Sequence, residues 1–410
     1  MPEPRLLILA LNGASHRLLT TGVGVARLPK LAQLADRWGP LAAPLPVLDY
    51  PAWASFYSGV DPGTHRVYGF SQLDPAGRPG RLAHVQTLPV PTWPALITAR
   101  GYRLIGLFAP MTTPPPSWEG PVIGDRPTGT DGLCTYPAGL AAELTARFGP
   151  LSPPAPRQFF PATGLCDEGA IRAFLAAQAR SLAQTATLAR VLLSEHPWDV
   201  ALVHVYPVDT VSHALWHYLD GEHPAHRCDS AIGAQLETFF GQLDALLSDL
   251  ITTVRPANTL VFADHGFAPC LRILNVDRAL AELTHTWQPP LGLRLRSRLR
   301  GYDPKTVMTK ALRSEHKVVH VNRHLVSETR LAEVIAGLEN MVDPQTGKTA
   351  IARVWRSDEL YPAARTDEFC PLILACSPGY TGRSLSPAAP LFSDCRPGHD
   401  YLSGTQKNIG

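Results

Sequence analysis

The chain is expected to fold as an α/β protein: a mostly parallel central sheet with helices on both faces, carrying a small α+β cap insertion. Three observations point there. Short β-type runs alternate with helical segments, two long stretches repeat apolar residues at helical spacing, and polar residues able to do chemistry follow directly on the apolar runs. Open α/β sheets keep their sites at such strand ends.

Leu6 to Leu11 is the first strand; it is apolar, too short to span a bilayer and too near the start to follow the charged lead of a secretion signal. Arg103 to Phe108 is the second, Asp199 to Val205 the third and Thr259 to Ala263 the fourth. Between the last two, Ile232, Leu236, Phe239, Leu243, Leu246, Leu247 and Leu250 recur at helical spacing, so Ala231 to Thr252 is a helix, and Ala170 to Leu193 is another. Beyond Asp264 the texture changes. Pro289 to Arg300 is rich in Arg, Leu and Gly, Lys317 to Val321 is a strand and Glu328 to Leu338 a helix, which places a cap at 275–365 within a core formed by 1–274 and 366–410. Ser377 to Asp400, dense in Ser, Pro and Gly, is expected to return to the core as loop.

With 410 residues, 45% of them hydrophobic and 18% charged, the chain has enough apolar material for one large core or two moderate ones, which excludes disorder. A net charge of +2 without a basic run announces neither a nucleic-acid polymer nor a membrane surface as partner and leaves a small charged substrate. Seven cysteines, an odd number without a CxxC pair, fit neither a disulfide framework nor a thiolate zinc cage; reduced thiols and a cytoplasmic location follow as expectations. Cys228 and Cys270 are expected to be buried thiols. Oligomeric state is not readable from these features.

The residues for chemistry come in separate segments. Asp264 and His265 close the run that begins at Asn258, and Asp209 and His213 follow the third strand four residues apart, on one face if a helix begins there. Asn12 follows the first strand, Asp49 precedes Tyr50-Pro51, and His399 lies near the C-terminus. Asn12, Asp49, Asp209, His213, Asp264, His265 and His399 make a mixed nitrogen and oxygen set, suited to zinc first and to manganese or iron otherwise. Two divalent ions about 4 Å apart would clamp phosphoryl oxygens and activate water. His65 and Trp53 are expected to pack beneath the site, and the remaining histidines, His204 among them, to be core or surface.

Several stretches together resemble one family. They are Leu9-Ala10-Leu11-Asn12-Gly13-Ala14, Gly39 to Pro46 leading into Pro51-Ala52-Trp53-Ala54-Ser55-Phe56, Ser58 to His65 with Gly69-Phe70, Ala109 to Pro115, Asp209 to Trp216, Ala263 to Phe267, Thr309 to Ala311, Val319 to Asn322 and Asp343 to Gly347. In order, they resemble the alkaline phosphatase superfamily, and within it the type I phosphodiesterase/nucleotide pyrophosphatase branch of predicted phosphohydrolases and phosphomutases. The resemblance implies an alkaline-phosphatase-like three-layer sandwich with a bimetallic site that hydrolyses or transfers phosphate esters of a small metabolite or nucleotide. It implies that Asp209, His213 and His399 hold one metal and that Asp264 and His265 belong to the second.

Two positions depart from the family pattern: Asn12 stands where it has an aspartate ligand, and Asp49 where it has the threonine or serine nucleophile. Asp49 is then a ligand or a general base, with metal-activated water replacing the covalent route, or else it is itself the site of an acyl phosphate. The stretch Ser403-Gly404-Thr405-Gln406 also resembles the family's closing element, with Gln406 where histidine would stand. A repurposed metalloenzyme of specialised metabolism and a pseudoenzyme binding a phosphorylated ligand are the alternative functions. Specificity would come from the cap and from loops such as Pro110 to Pro137.

Overall fold

The structure, a computed structural model, describes residues 5–14, 16–19, 22–73, 79–125, 132–151, 164–165, 167–285, 312–363, 371–396 and 404–407. Its strands include β1 (Leu6–Leu11), the hairpin pair β2 (Ser71–Leu73) and β3 (Pro79–Leu82), β4 (Leu104–Leu107), β5 (Val122–Ile123), β6 (Thr135–Tyr136), β7 (Val200–Val205) and β8 (Asn258–Phe262). Six of them form the central sheet in the order β6-β5-β4-β7-β1-β8. β1 lies parallel between β7 and β8, with Leu6 opposite both Val200 and Asn258, and only β6 runs antiparallel. This is the mostly parallel sheet expected.

Successive strand residues point to opposite faces, and a parallel sheet buries both. Leu7, Leu9 and Leu11 of β1, with Val203 and Val205 of β7, face a core built on the helices Glu168–Glu195 and Ser230–Val254. Ile8, Ala10 and Leu202 face the other way, onto Tyr50, Trp53, Ala54 and Tyr57 of the helix Asp49–Ser58. Both long helices start before the apolar periodicity does, because aspartates cap them: Asp167 accepts from the Ala170 N–H, and Asp229 from those of Ala231 and Ile232.

A second sheet has the order β10-β11-β13-β12, from β10 (Leu312–Glu315), β11 (Val318–Val321), β12 (Ile351–Arg356) and β13 (Leu372–Cys376). Its own core, with Val319, Val321, Leu372 and Leu374, packs Leu280 of the helix Val276–Thr284 and Leu331, Val334 and Leu338 of the helix Glu328–Glu339.

One expectation is corrected here. Ser377 to Asp400 is not simply loop: β14 (Gly379–Arg383) and β15 (Phe392–Asp394) lie within it, and both pair with the ten-residue strand β9 (Gly266–Asn275). β16 (Gly404–Lys407) pairs with the start of β9 as well. Glycine and serine weaken the side-chain signal, while the backbone ladder to β9 holds the strands. Gly379, at φ +84°, takes a backbone conformation that side chains avoid, and an added Cβ would lie 3.1 Å from Leu271. No helix among the described residues is long and apolar enough to cross a membrane. Pro289 to Arg300 lies outside the described residues.

Candidate metal centre

β8 ends at Phe262 and β9 begins at Gly266, so Asp264 and His265 sit in the short link between two strands, both buried. The Gly13 N–H donates to Asp264 Oδ1 at 3.1 Å, and Trp53 Nε1–H donates to Oδ2 at 3.1 Å. Gly13 is tightly packed: at φ +73°, an added Cβ would fall 2.4 Å from the Phe267 ring and 3.4 Å from Asp209 Cα. The Asn12-Gly13 turn thus brings β1 against the segments that carry Asp264 and Asp209.

Asp209 and His213 lie on one face of the helix Pro207–Leu219, with Asp209 Oδ1 3.5 Å from His213 Nε2. Asp49 is the first residue of its helix, where the exposed N–H groups favour an anion. His265 joins the two helices: its Nε2 lies 3.0 Å from Asp49 Oδ1, 3.8 Å from Asp209 Oδ1 and 3.9 Å from Asp264 Oδ1. Donor atoms of Asp49, Asp264 and His265 all fall within 4.8 Å of one another.

Three carboxylates buried together repel one another, and the ionisation reflects it. Burial pushes Asp209 well above the usual carboxylate range, with the charges of Asp49 and Asp264 adding to the shift. Asp264 moves up by burial and by Asp49, against the pull of His265. Burial acts on Asp49 too, but the hydrogen bond and charge of His265, helped by His213 and His204, hold it below the usual range. Burial would depress His265, yet Asp264, Asp49 and Asp209 together raise it to about 9. Its Nδ1 also lies 3.2 Å from the Gly266 carbonyl, so as an imidazolium it donates from both nitrogens.

Protons therefore stand where positive charge is needed. Asn12 is buried with neither amide atom hydrogen-bonded, and Asp209 Oδ1 has no hydrogen bond either. Buried polar atoms left this way are costly. A cation would take the lone pairs of Asn12 Oδ1, Asp209 and His265 and displace the proton, so the residues present fit divalent metal. A cavity of about 930 Å³ between the segment Leu31–Leu41 and β8 reaches His265, and one of about 210 Å³ touches Trp53 and Asp264.

The type I phosphodiesterase / nucleotide pyrophosphatase family matches residues 6–385. The chain belongs to that family. As a family member it is an enzyme of phosphate-ester chemistry, on the hydrolase or phosphoryl-transfer side. A comparison with curated proteins finds no match. Among solved structures, phosphonoacetate hydrolase from Sinorhizobium meliloti 1021 in complex with phosphonoacetate is similar at a TM-score of 0.54 and 17% identity, over 100% of this chain and 90% of that one. An inactive variant of murine ectonucleotide pyrophosphatase / phosphodiesterase 5 in complex with AMP is similar at 0.51 and 12%, over 98% of this chain and 87% of that one. At these identities the likeness is one of fold, the alkaline-phosphatase-like α/β architecture.

At this candidate site the structure brings together Asp49, Asp209, His213, Asp264 and His265, with the buried Asn12 preceding Gly13, whose N–H reaches Asp264. His399 lies outside the described residues, whereas the backbone of Gln406 pairs opposite Phe267, two positions from His265. Ser55 and Ser58, the serine hydroxyls nearest Asp49 in sequence, are engaged elsewhere, with His65 Nε2 at 3.0 Å and the Ala54 carbonyl at 2.6 Å.

His204, expected to be core or surface, is core and neighbours the site. His204 is fully buried, its Nδ1 lies 3.0 Å from the Phe108 carbonyl, and its ring meets Trp53 edge-on at 5.2 Å between centroids. Burial lowers it to about 4, so it is neutral, with Nε2 free of a hydrogen bond. Period-two alternation from Leu202 would have put it on the Asp49 face of the sheet.

Buried neutral histidines make the family member acid-sensitive. Burial lowers His65 to about 4 and His217 to about 3, from 6.5. Below pH 6.5 the unfolded chain takes up protons that the folded chain refuses, so this stability is present above pH 6.5 and lost as pH falls toward 4. The expected loss is at most about 3 kcal/mol for each group. Urea unfolding at pH 7 and pH 4.5 checks it, and His65→Gln should lower the proton uptake by one.

Proposed function

We propose that the protein is a metal-dependent phosphohydrolase that cleaves a small phosphate ester or nucleotide with water, without a phosphoryl-enzyme. The observation that carries this reading is the carboxylate of Asp49, at a helix N-terminus and 3.0 Å from His265, with Asp209 and Asp264 around the same imidazole. Asp209 and His213 would hold one ion, and Asp264, His265 and Asp49 the second, with Asn12 Oδ1 as a neutral donor. Bound there, two divalent ions, zinc foremost and manganese or iron otherwise, supply Lewis-acid polarisation of the phosphoryl oxygens and lower the pKa of water.

The chain's own groups do the rest. Asp49, held ionised, either stays a ligand or receives a proton from the attacking water on its free oxygen, and the ester's P–O bond breaks as the alcohol leaves. Trp53 and Gly13 fix both oxygens of Asp264 and so its orientation. The second sheet and its helices would act as a cap that shapes the substrate pocket, with β13 (Leu372–Cys376) joining it from beyond the expected 275–365. The complexes of the similar structures with phosphonoacetate, a phosphonate, and with AMP, a phosphate ester, support a small ligand that carries a phosphonyl or phosphoryl group.

Neutral Asn12, and Gln406 at the register beside Phe267, favour a second reading in which the site holds one ion, either for a different transfer or only to bind a phosphorylated ligand. Metal stoichiometry by plasma mass spectrometry, with turnover of aryl phosphate mono- and diesters, separates the two. The proposal expects two metals per chain and metal-dependent release of the aryl alcohol. One metal without turnover establishes the second reading, and no metal with no turnover overturns both.

A further inference from the structure

We infer that Cys270 and Cys395 form a reversible disulfide that clasps the segment after β15 onto β9. Their Sγ atoms lie 2.9 Å apart, although the residues are 125 positions apart in sequence. A bonded pair needs about 2.05 Å, so closure takes less than about 1 Å of movement.

The backbone already holds both partners. Cys395 N–H donates to the Leu271 carbonyl at 2.8 Å, next to Cys270, and Asp394 stands opposite Arg272 in the β15–β9 ladder. Arg272, from β9, donates to Asp343 Oδ2 at 2.7 Å and Oδ1 at 2.9 Å and also to Asp394. The two chain segments that the clasp would join are therefore pinned on one side by this ion network.

The reaction balances with a small-molecule disulfide such as oxidised glutathione. Cys395, the more exposed at 6% against 0% for Cys270, attacks one glutathione sulfur and releases one glutathione thiol. The Cys270 sulfur then attacks the Cys395 sulfur and releases the second. Two electrons and two protons pass from the protein to glutathione, and a reducing thiol reverses both steps. Because β9 begins one residue after His265, the clasp acts on the strand that leaves the candidate metal centre, and it closes a long loop. The unfolded chain loses freedom accordingly.

The full-length protein in glutathione buffers of graded ratio tests this. Oxidation is expected to link the Cys270 and Cys395 peptides in non-reducing mass spectrometry and to raise Tm by roughly 5–10 °C, reversibly. Cys395→Ser and Cys395→Ala should both lose the shift, while Cys228→Ser, at an exposed position, keeps it. The inference is overturned if Cys270 and Cys395 are each recovered alkylated after oxidation, if Cys270 links to Cys376 instead, or if the Tm shift survives in Cys395→Ala.

Discussion

Asp209→Ala is expected to lower kcat/KM for a phosphate ester by roughly 10³-fold or more, since even partners behind the metal ligands cost about 10–100-fold. Asp209 lies 3.5 Å from His213 and 3.8 Å from His265, so it stands between the two groups of proposed ligands. Its loss should remove metal as well as activity. The stability of the metal-free protein is expected to move differently. Burial and the charges of Asp49 and Asp264 disfavour an ionised Asp209, so removing it relieves repulsion and offsets the small cavity left behind. Thermal unfolding with and without chelator should show a metal-free variant about as stable as wild type that metal no longer stabilises, whereas wild type gains with metal. A fall in kcat/KM below tenfold, with metal retained, would remove Asp209 from the centre.

The parts of this molecule legible in the sequence are those where burial is one-dimensional. β1, β7 and β8 are apolar runs because a parallel sheet hides both faces, and the two long helices show their buried stripe. That Asp209, His213, Asp264 and His265 come together was legible because each follows such a run. The rest depends on pairings distant in sequence. β14, β15 and β16 exist through their ladder to β9, which no local pattern in their glycines and serines announces.

Cys228 is a correction of the same kind: expected buried, it is exposed, in the stretch between the helix Pro207–Leu219 and the cap residue Asp229, where no periodicity bears on it. Cys270 is buried as expected, but its meeting with Cys395 joins positions far apart in sequence. His204 was passed over for another reason: on an otherwise apolar strand, a single histidine carries no spacing signal.

Asn12→Asp should change stability in opposite directions with and without metal. In the metal-free protein it adds a fourth carboxyl to Asp49, Asp209 and Asp264, at a position 1% exposed. A new buried acid is either charged and repelled or protonated, and its pKa is raised by burial and by its neighbours. A raised acid destabilises as pH climbs above its unfolded value, so at neutral pH the metal-free variant should lose about 1–3 kcal/mol. With two divalent ions the balance reverses. Three carboxylates leave a +4 pair one charge short, and the fourth closes the gap, so metal affinity should rise about tenfold or more, or about 1.4 kcal/mol. Thermal unfolding with chelator and with saturating metal reads both arms. If Asn12 only shapes the turn before Gly13, the substitution would shift both arms the same way, and Asn12 would have no place in a metal centre.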